Sequence, residues 1–189
     1  MSGHKENFPA MNKALFLDRD GVINKEINYL HRVEDFEFLP GIFEICRLFL
    51  DKEYQIFVVS NQAGIARGYY SEGDFNRLTE WMVQEFKQRD VKITKVYYCP
   101  FHPTEGIGTY KMDSFDRKPN PGMLFKARDE FDLNLQASFL IGDKESDIEA
   151  GINAGLGMTV LLTRQPAEVK TKANLVIPDL KRLPELLKF

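Results

Sequence analysis

The sequence has few of the residues that form disulfides or bind structural metals. Its 189 residues include 2 cysteines, Cys46 and Cys99, and 3 histidines. Two cysteines cannot build the disulfide framework of a small secreted domain, and no paired cysteine or histidine spacing accompanies them. The composition excludes a disulfide-stapled module and is typical of a protein from the reducing cytoplasm.

Long hydrophobic runs and an excess of positive charge are also missing. No stretch approaches the ~20 apolar residues of a membrane span, and residues 1–12 lack the apolar run of a secretory signal. The 25 Lys and Arg residues are outnumbered by 28 Asp and Glu residues, which gives a net charge of -3. This balance provides no general basic field to hold a nucleic-acid backbone. We therefore expect a cytoplasmic protein that binds neither nucleic acid nor membranes.

The composition that remains, 43% hydrophobic and 28% charged, is that of an ordinary globular domain. A chain of this length commonly forms one domain. Residues 1–12 are polar, and a second methionine, Met11, precedes the first apolar run. We predict a flexible tail over 1–12 and a single domain over 13–189, and we expect that domain to act as a monomer.

Short apolar runs alternate with longer helix-like windows along the chain. The runs predict strands over 14–17, 55–59, 95–98, 138–141, 159–162 and 175–177. The windows predict helices over 42–51, 71–88, 123–131 and 145–154. This alternation is typical of a parallel sheet with helices on both faces, a three-layer α/β/α fold of Rossmann type. In such sheets the ligand crevice lies outside the carboxyl ends of the strands.

Polar residues follow three of the predicted strands. Asp18 and Asp20 come after the first strand, Ser60 ends the second, and Asp143 follows the fourth. A lone Asp-x-Asp is usually a solvated turn or a helix cap. Three strand ends that each bring acidic or hydroxyl groups to one edge instead indicate phosphoryl transfer to an aspartate.

The residue types fit the steps of that reaction. Asp18 is the candidate nucleophile, because carboxylates form aspartyl-phosphate intermediates. Asp20 can protonate the leaving oxygen and later deprotonate the attacking water. Asp18 and Asp143 would repel each other without a cation between them, and all-oxygen ligands at a phosphate site favour magnesium. Ser60 can bind phosphate oxygens.

A phosphate site also needs a fixed positive charge, and Lys118 is the candidate. A basic pair before a proline can equally be a solvated turn. Pro119 and Pro121 stiffen this segment, however, which suits a lysine held in place against phosphate. Asp147, four residues after Asp143, is expected to orient the loop or to hold an outer-shell water.

Four segments in the same order resemble the motifs of the haloacid dehalogenase superfamily of phosphatases. They are DRDGV at 18–22, VVSNQ at 58–62, RKP at 117–119 and IGDKESD at 141–147, and the match spans 14–162. Segments 18–24, 60–68 and 117–123 further resemble the heptose-bisphosphate phosphatases, a subgroup that also includes the histidinol-phosphate phosphatases.

This resemblance implies a haloacid dehalogenase-like fold without a separate cap domain and a magnesium-dependent phosphatase. The implied reaction removes the 7-phosphate of D-glycero-D-manno-heptose 1,7-bisphosphate, a step toward lipopolysaccharide or another surface glycan. The implied magnesium ligands are Asp18, the Asp20 carbonyl and Asp143. The positions that correspond to substrate contacts are Glu26, Ile27, Asn28, Tyr29, Asn61, Gln62, Ala63, Arg117 and Lys144.

Two alternatives remain at this point. One is another phosphatase of small molecules, such as a histidinol-phosphate or phosphosugar phosphatase. The other is a binding protein that keeps the fold without catalysis. The presence of both Asp18 and Asp20 argues against the second, since a protein that only binds has no need of an acid–base group beside the nucleophile.

One departure from the family concerns a zinc-binding loop. The family pattern is Cys-x-His and then Cys-x-Cys before Arg-Lys-Pro, whereas this chain has Cys99-Pro100-Phe101 and Ser114-Phe115-Asp116. His102 lies one place beyond the expected histidine, and two ligands do not close a structural zinc site. We expect no zinc, with loop 100–116 either mobile or held by packing of Phe101, Tyr110, Met112 and Phe115.

Overall fold

The computed structural model describes residues 12–187. The predicted tail therefore lies outside the described residues except for Asn12, which is fixed against the domain. The Asn12 amide donates to the carbonyl of Asp132 at 3.1 Å, and its own carbonyl accepts from the Asn134 amide at 2.8 Å. Asn12 is therefore held by the domain.

Six parallel strands form one sheet, as the alternating pattern predicts. They are β1 (Lys13–Leu17), β2 (Tyr54–Asn61), β3 (Ile93–Cys99), β4 (Phe139–Gly142), β5 (Met158–Leu162) and β6 (Leu175–Ile177). Their order in the sheet is β3-β2-β1-β4-β5-β6. The order reverses direction between β1 and β4, and a crevice opens at the carboxyl ends of strands at such a point.

The helices cover both faces of this sheet, which confirms the three-layer prediction. They are α1 (Ile42–Asp51), α2 (Ala63–Ala66), α3 (Glu72–Lys87), α4 (Gly122–Phe131), α5 (Glu145–Ala154) and α6 (Leu183–Leu186). Leu15 and Leu17 of β1 belong to a core with Phe49 of α1 and Phe86 of α3. Phe16 belongs to a second core with residues of α4 and α5. Successive side chains of one strand therefore fill opposite layers.

Local signals explain where the longer helices begin and end. The Ser71 hydroxyl accepts from the Asp74 amide, and the Asp74 carboxylate accepts in return from the Ser71 amide, a capping box that starts α3. Gly155 closes α5 in the left-handed region, with φ of 76°. None of the helices in residues 12–187 is long and apolar enough to cross a membrane.

Two long connections approach the carboxyl edge of the sheet. Within the described chain, residues 18–41 and 100–121 contain no regular element beyond 3-10 turns at Val33–Asp35 and Gly108–Tyr110. Neither segment is folded as a separate cap, in agreement with the sequence prediction.

Candidate active site

A cavity of about 330 Å³ opens at the carboxyl ends of β1 and β2 and beside the start of α5. Most of the predicted site residues line it, namely Asp18, Asp20, Glu26, Asn28, Tyr29, Asn61, Gln62, Ala63, Arg117, Lys118 and Lys144. Ile27, Ser60 and Asp143 are not among its lining residues. The fold thus gathers into one place residues as far apart in the sequence as Asp18 and Asp147, which also lines the cavity.

Lys118 forms the centre of a buried charged cluster. Its Nζ lies 2.8 Å from Asp18 Oδ1 and 2.5 Å from Asp147 Oδ1, and it donates to the Val59 carbonyl at 2.8 Å. The side chains of Lys118, Asp18 and Asp147 are 3%, 8% and 1% exposed. The ion pair with Lys118 therefore fixes the position of the Asp18 carboxylate, the candidate nucleophile.

Burial sets the protonation of the cluster. Burial, together with the neighbouring carboxylates of Asp147 and Asp143, raises the pKa of Asp18 to about 8 against the lowering effect of Lys118. Burial also raises the pKa of Asp143 to about 6. Burial lowers the pKa of Lys118, but Asp147 and Asp18 outweigh it and keep that pKa above its ordinary value. Burial and the neighbouring carboxylates therefore favour the protonated form of Asp18, whereas Lys118 favours the ionised form.

The acidic side of the cluster fits a hard divalent cation. Carboxylate oxygens of Asp18, Asp143 and Asp147 lie within 4.8 Å of one another. Asp143 Oδ1 is buried and has no hydrogen-bond partner among the described residues. The carboxylate approaches so closely that a Cβ on Gly21, whose φ is 88°, would lie 2.2 Å from Asp143 Oδ2. An unpartnered buried oxygen in an all-oxygen set suits magnesium.

Asp147 differs from the other two carboxylates because both of its oxygens have partners. Oδ1 contacts Lys118, and Oδ2 accepts from the Lys144 amide at 3.0 Å. This arrangement fits the predicted orienting role better than direct ligation.

Asp20 faces the cavity and is held by three side chains. Arg19 Nη2 lies 2.8 Å from Asp20 Oδ2, Asn24 Nδ2 donates to Oδ1 at 3.1 Å, and Gln62 Nε2 donates to Oδ2 at 3.2 Å. The carboxylate remains 16% exposed. It is therefore open to a ligand on one side and fixed on the others.

Ser60, predicted to bind phosphate, lies beneath the cavity surface. Its hydroxyl accepts from Gln62 Nε2 at 2.8 Å, and the residue is 1% exposed. Gln62 Oε1 accepts in turn from the Tyr70 hydroxyl at 2.5 Å. Gln62 is equally buried, lines the cavity and connects Ser60 to Asp20 through Nε2.

The segment from Glu26 to Tyr29 forms one wall. Glu26 Oε2 lies 3.0 Å from Lys144 Nζ, so the charge of this lysine is partly compensated. Asn28 and Tyr29 both adopt positive φ, 56° and 55°, and the Tyr29 ring contacts Tyr69 edge-on at 4.7 Å. Ile27 points away from the cavity to solvent, with 42% exposure.

Arg117 forms part of the opposite wall and is joined to the long loop. Its Nη1 donates to the Phe101 carbonyl at 3.2 Å. Burial lowers its pKa. It is a partly desolvated cation at the cavity.

Loop 100–116 is held by hydrogen bonds together with part of the predicted aromatic packing. The Ile107 amide donates to the Ala66 carbonyl at 2.9 Å, and the Tyr110 hydroxyl donates to Glu72 at 2.6 Å. Phe101 and Tyr110 contact each other with ring centroids 6.0 Å apart. Phe115 contacts Phe125 of α4 with ring centroids 6.3 Å apart, although Met112 and Phe115 are 43% and 60% exposed.

The cavity is also lined by three residues that were not predicted as site residues, namely Gly64, Tyr70 and Ser146. A Cβ on Gly64 would lie 2.1 Å from Tyr70 Cε1, so the missing side chain makes room for that ring. Gly64 lies two positions after the Ser60-Asn61-Gln62 motif, and this proximity could have indicated that it lines the site. The position of Tyr70 depends on tertiary packing and leaves no mark in sequence spacing.

Comparison with known proteins agrees with this architecture. Residues 115–183 match the model of the Hydrolase_like family, described as HAD-hydrolase-like. The chain is 53% identical to the D-glycero-α-D-manno-heptose-1,7-bisphosphate 7-phosphatase of Burkholderia mallei, over 88% of each chain. It is 48% identical to the enzyme of the same name from Campylobacter jejuni, over 94% of this chain and 95% of that one.

Among solved structures, a HAD-like protein from Mesorhizobium loti superposes with a TM-score of 0.84 at 33% identity, over 95% of this chain and 86% of that one. This neighbour confirms the predicted fold class. The identities and coverage together show that the chain belongs to the heptose-1,7-bisphosphate 7-phosphatase family of the haloacid dehalogenase superfamily.

Proposed function

We propose that this protein is a magnesium-dependent phosphatase that removes the 7-phosphate of D-glycero-D-manno-heptose 1,7-bisphosphate. The observation that carries the proposal is the cluster in which buried Lys118 contacts Asp18, with Asp20 beside it on the same cavity. The substrate is inferred from relatives 48–53% identical over most of the chain.

In the first half of the proposed reaction, Asp18 attacks the phosphorus of the 7-phosphate. The bond between phosphorus and the sugar oxygen breaks, and Asp20 gives its proton to that oxygen. Lys118, with Asp147 behind it, keeps the Asp18 carboxylate oriented. The products are the sugar alcohol and a phosphoryl group on Asp18.

In the second half, water attacks the phosphorus of the aspartyl phosphate. Asp20, now a carboxylate, takes the proton from this water, and the bond to Asp18 breaks. Inorganic phosphate leaves, and both aspartates return to their starting states. One residue serves as acid and then as base because the alcohol and the water occupy the same side of the phosphoryl group.

Asp18, Asp143 and the carbonyl of Asp20 are the proposed magnesium ligands. A bound magnesium ion supplies charge neutralisation for the phosphate oxygens. The support is the unpartnered oxygen of Asp143 and its position beside Asp18. Ser60 lies too deep to line the cavity, so its proposed part is to hold Gln62 beneath the phosphate.

Arg117 and Lys144 are the proposed contacts for the distal 1-phosphate. Both line the cavity, and neither contacts Asp18 in the cluster around Lys118. Lys144 shares its charge with Glu26, whereas arginine offers a fork of donors that matches phosphate. Arg117 is therefore assigned the larger part of the distal contact.

The anomer follows from the same proposal. Both relatives described above carry the α anomer in their names, so the α-configured bisphosphate is the proposed substrate. The monomer expected from the sequence stays a prediction. Both cysteines are buried free thiols, which suits the cytoplasm.

The test is a phosphate-release panel with the α and β heptose 1,7-bisphosphates and histidinol phosphate. The highest kcat/KM is expected for the α-bisphosphate, with the 7-phosphate released. A higher value for the β anomer would correct the anomer alone. Faster turnover of histidinol phosphate would move the function to the sister family, and no turnover of any of the three would contradict the proposal.

A further inference from the structure

Arg19 is a buried charged residue to which the proposed reaction gives no part. Its side chain is 1% exposed, and it ranks among the largest fully buried side chains of the described chain. A buried guanidinium is costly unless its donors are paired. The hydrogen-bond partners of Arg19 therefore indicate why a charged side chain is buried at this position.

The guanidinium grips both oxygens of Asp20. Nε lies 3.2 Å from Oδ1 and 3.1 Å from Oδ2, while Nη2 lies 3.0 Å and 2.8 Å from the same atoms. Nη2 also donates to the Leu30 carbonyl at 3.0 Å. The guanidinium lies 5.6 Å from the centre of the Phe75 ring. Nη1 is buried without a hydrogen-bond partner among the described residues, so Nε and Nη2 are the atoms that fix the guanidinium against Asp20 and Leu30.

The same group connects Asp20 to the wall of the cavity. Leu30 follows directly after Tyr29, which lines the cavity, and its carbonyl shares Nη2 with the Asp20 carboxylate. A shift of the segment around Leu30 would therefore move Asp20, because one rigid guanidinium contacts both.

We propose that Arg19 is a positioning residue for the acid–base group, one that sets the direction of the Asp20 carboxylate and ties it to the segment around Tyr29. The inference rests on the proposed phosphatase reaction. Arg19 does not line the cavity, so it acts through Asp20 and not on the substrate. A misplacement of ~1 Å at a reacting group costs roughly 10²-fold in rate.

The chemistry of the leaving group separates this role from a general structural one. A sugar alkoxide needs the proton of Asp20 to depart, whereas p-nitrophenolate departs without it. The value of kcat/KM reports the steps up to departure of the alcohol or phenol. Hydrolysis of the aspartyl phosphate needs the Asp20 base for either substrate, and it enters kcat alone.

The experiment compares Arg19→Gln with wild type on heptose bisphosphate and on p-nitrophenyl phosphate. We expect kcat/KM to fall roughly 10- to 100-fold for the sugar phosphate and by less than about 3-fold for the aryl phosphate. The kcat for the aryl phosphate should fall, because hydrolysis of the intermediate becomes slow. Equal losses of kcat/KM on both substrates would overturn the inference. Arg47→Gln, an exposed arginine far along the chain on α1, is the matched control and should match wild type.

A double variant tests whether Arg19 acts through Asp20. In an Asp20→Asn background, Arg19→Gln should cause less than about 2-fold further loss on the sugar phosphate. A further loss as large as in the wild-type background would contradict the inference. If Asp20→Asn alone shows no selective loss on the sugar phosphate, the proposed acid–base role fails, independently of Arg19.

Thermal unfolding of Arg19→Gln, measured beside wild type, shows whether this variant folds. If Arg19→Gln does not fold, Arg19→Lys replaces it, since lysine keeps the charge but cannot make the two parallel contacts. The same selective loss is expected for this variant. Wild-type kcat/KM for the sugar phosphate in Arg19→Lys would show that charge alone suffices and would overturn the positioning role.

Discussion

The two carboxylates proposed to bind magnesium, Asp18 and Asp143, have raised pKa values. Burial raises the pKa of Asp18 to about 8 and that of Asp143 to about 6. Both groups must be ionised to bind magnesium, so protons compete with the metal. The dissociation constant for Mg²⁺ should therefore fall as the pH rises from 6 to 8.

Calorimetric titration at several pH values measures this coupling. Net proton release on Mg²⁺ binding at pH 7 is expected, seen as a dependence of the measured heat on the ionisation enthalpy of the buffer. The exposed Asp113→Asn variant should behave as wild type. An affinity that is the same at pH 6 and pH 8 would show that these carboxylates do not carry the metal.

Arg117 provides a second prediction at the scale of single residues. Arg117→Ala should lower kcat/KM for the bisphosphate roughly 10- to 100-fold, on the ~1.5–3 kcal/mol of a hydrogen bond to a charged group. A monophosphate lacks the distal anion and should be affected much less. Steady-state kinetics on both substrates measure the difference. Equal losses would place Arg117 at the reacting phosphate or in the fold.

Site residues are easiest to predict from the sequence where a reactive side chain directly follows a buried strand or lies in a stiff segment. Asp18, Asp20 and Lys118 are recognisable because polar groups follow buried strands or lie in a stiff segment, and the structure brings all three to one cavity. Ser60 has the same signal but is buried beneath Gln62, and Ile27 faces solvent. Neither burial depth nor side-chain direction within a loop is encoded in local spacing.

Among the elements, loop 100–116 depends on its contacts with α3. The hydroxyls of Tyr98 and Tyr110 both donate to Glu72, and these bonds lower the pKa of this carboxyl. Glu72→Ala removes the shared acceptor, so cleavage within the loop by limited proteolysis should become several-fold faster. Glu80→Ala, exposed on the same helix, should digest like wild type. Unchanged digestion of Glu72→Ala would show that other contacts suffice.

The same loop is expected to be ordered without zinc. Phe101, Ser114 and Asp116 stand where the family pattern has three of its four ligands, and no group of zinc-binding side chains beside Cys99 is found among the described residues. Elemental analysis of protein purified without added metal should give well below one zinc per chain. Stoichiometric zinc that disappears in Cys99→Ala would contradict this expectation.

Element lengths show why some predictions succeed. The helices α1 and α5 match their predicted bounds, because amphipathic spacing, Gly41 and Gly155 mark them. The helices Ala63–Ala66 and Leu183–Leu186 were not predicted, since one turn is too short to show a periodic pattern. β2 extends to Asn61, beyond the predicted end, because its backbone continues to pair with β3 through polar residues.

At the scale of the whole molecule, the alternating pattern predicts a parallel sheet but not the order of its strands. That order comes from which layers pack on which faces, and it places β1 beside β4. Asp18 and Asp143 therefore come together although 125 positions separate them. The resemblance to the family motifs implies that these two aspartates share one site, whereas their spacing in the sequence does not.

The most direct test of Asp18 as the nucleophile is phosphate release from heptose bisphosphate by Asp18→Asn, measured with Mg²⁺ beside wild type. Asparagine keeps the shape and can still accept from the Arg19 amide, so the fold should survive, as thermal unfolding can verify. We predict that kcat falls by at least about 10³-fold, to background, since an amide cannot form the phosphoryl intermediate. Activity close to wild type in the folded variant would contradict the mechanism.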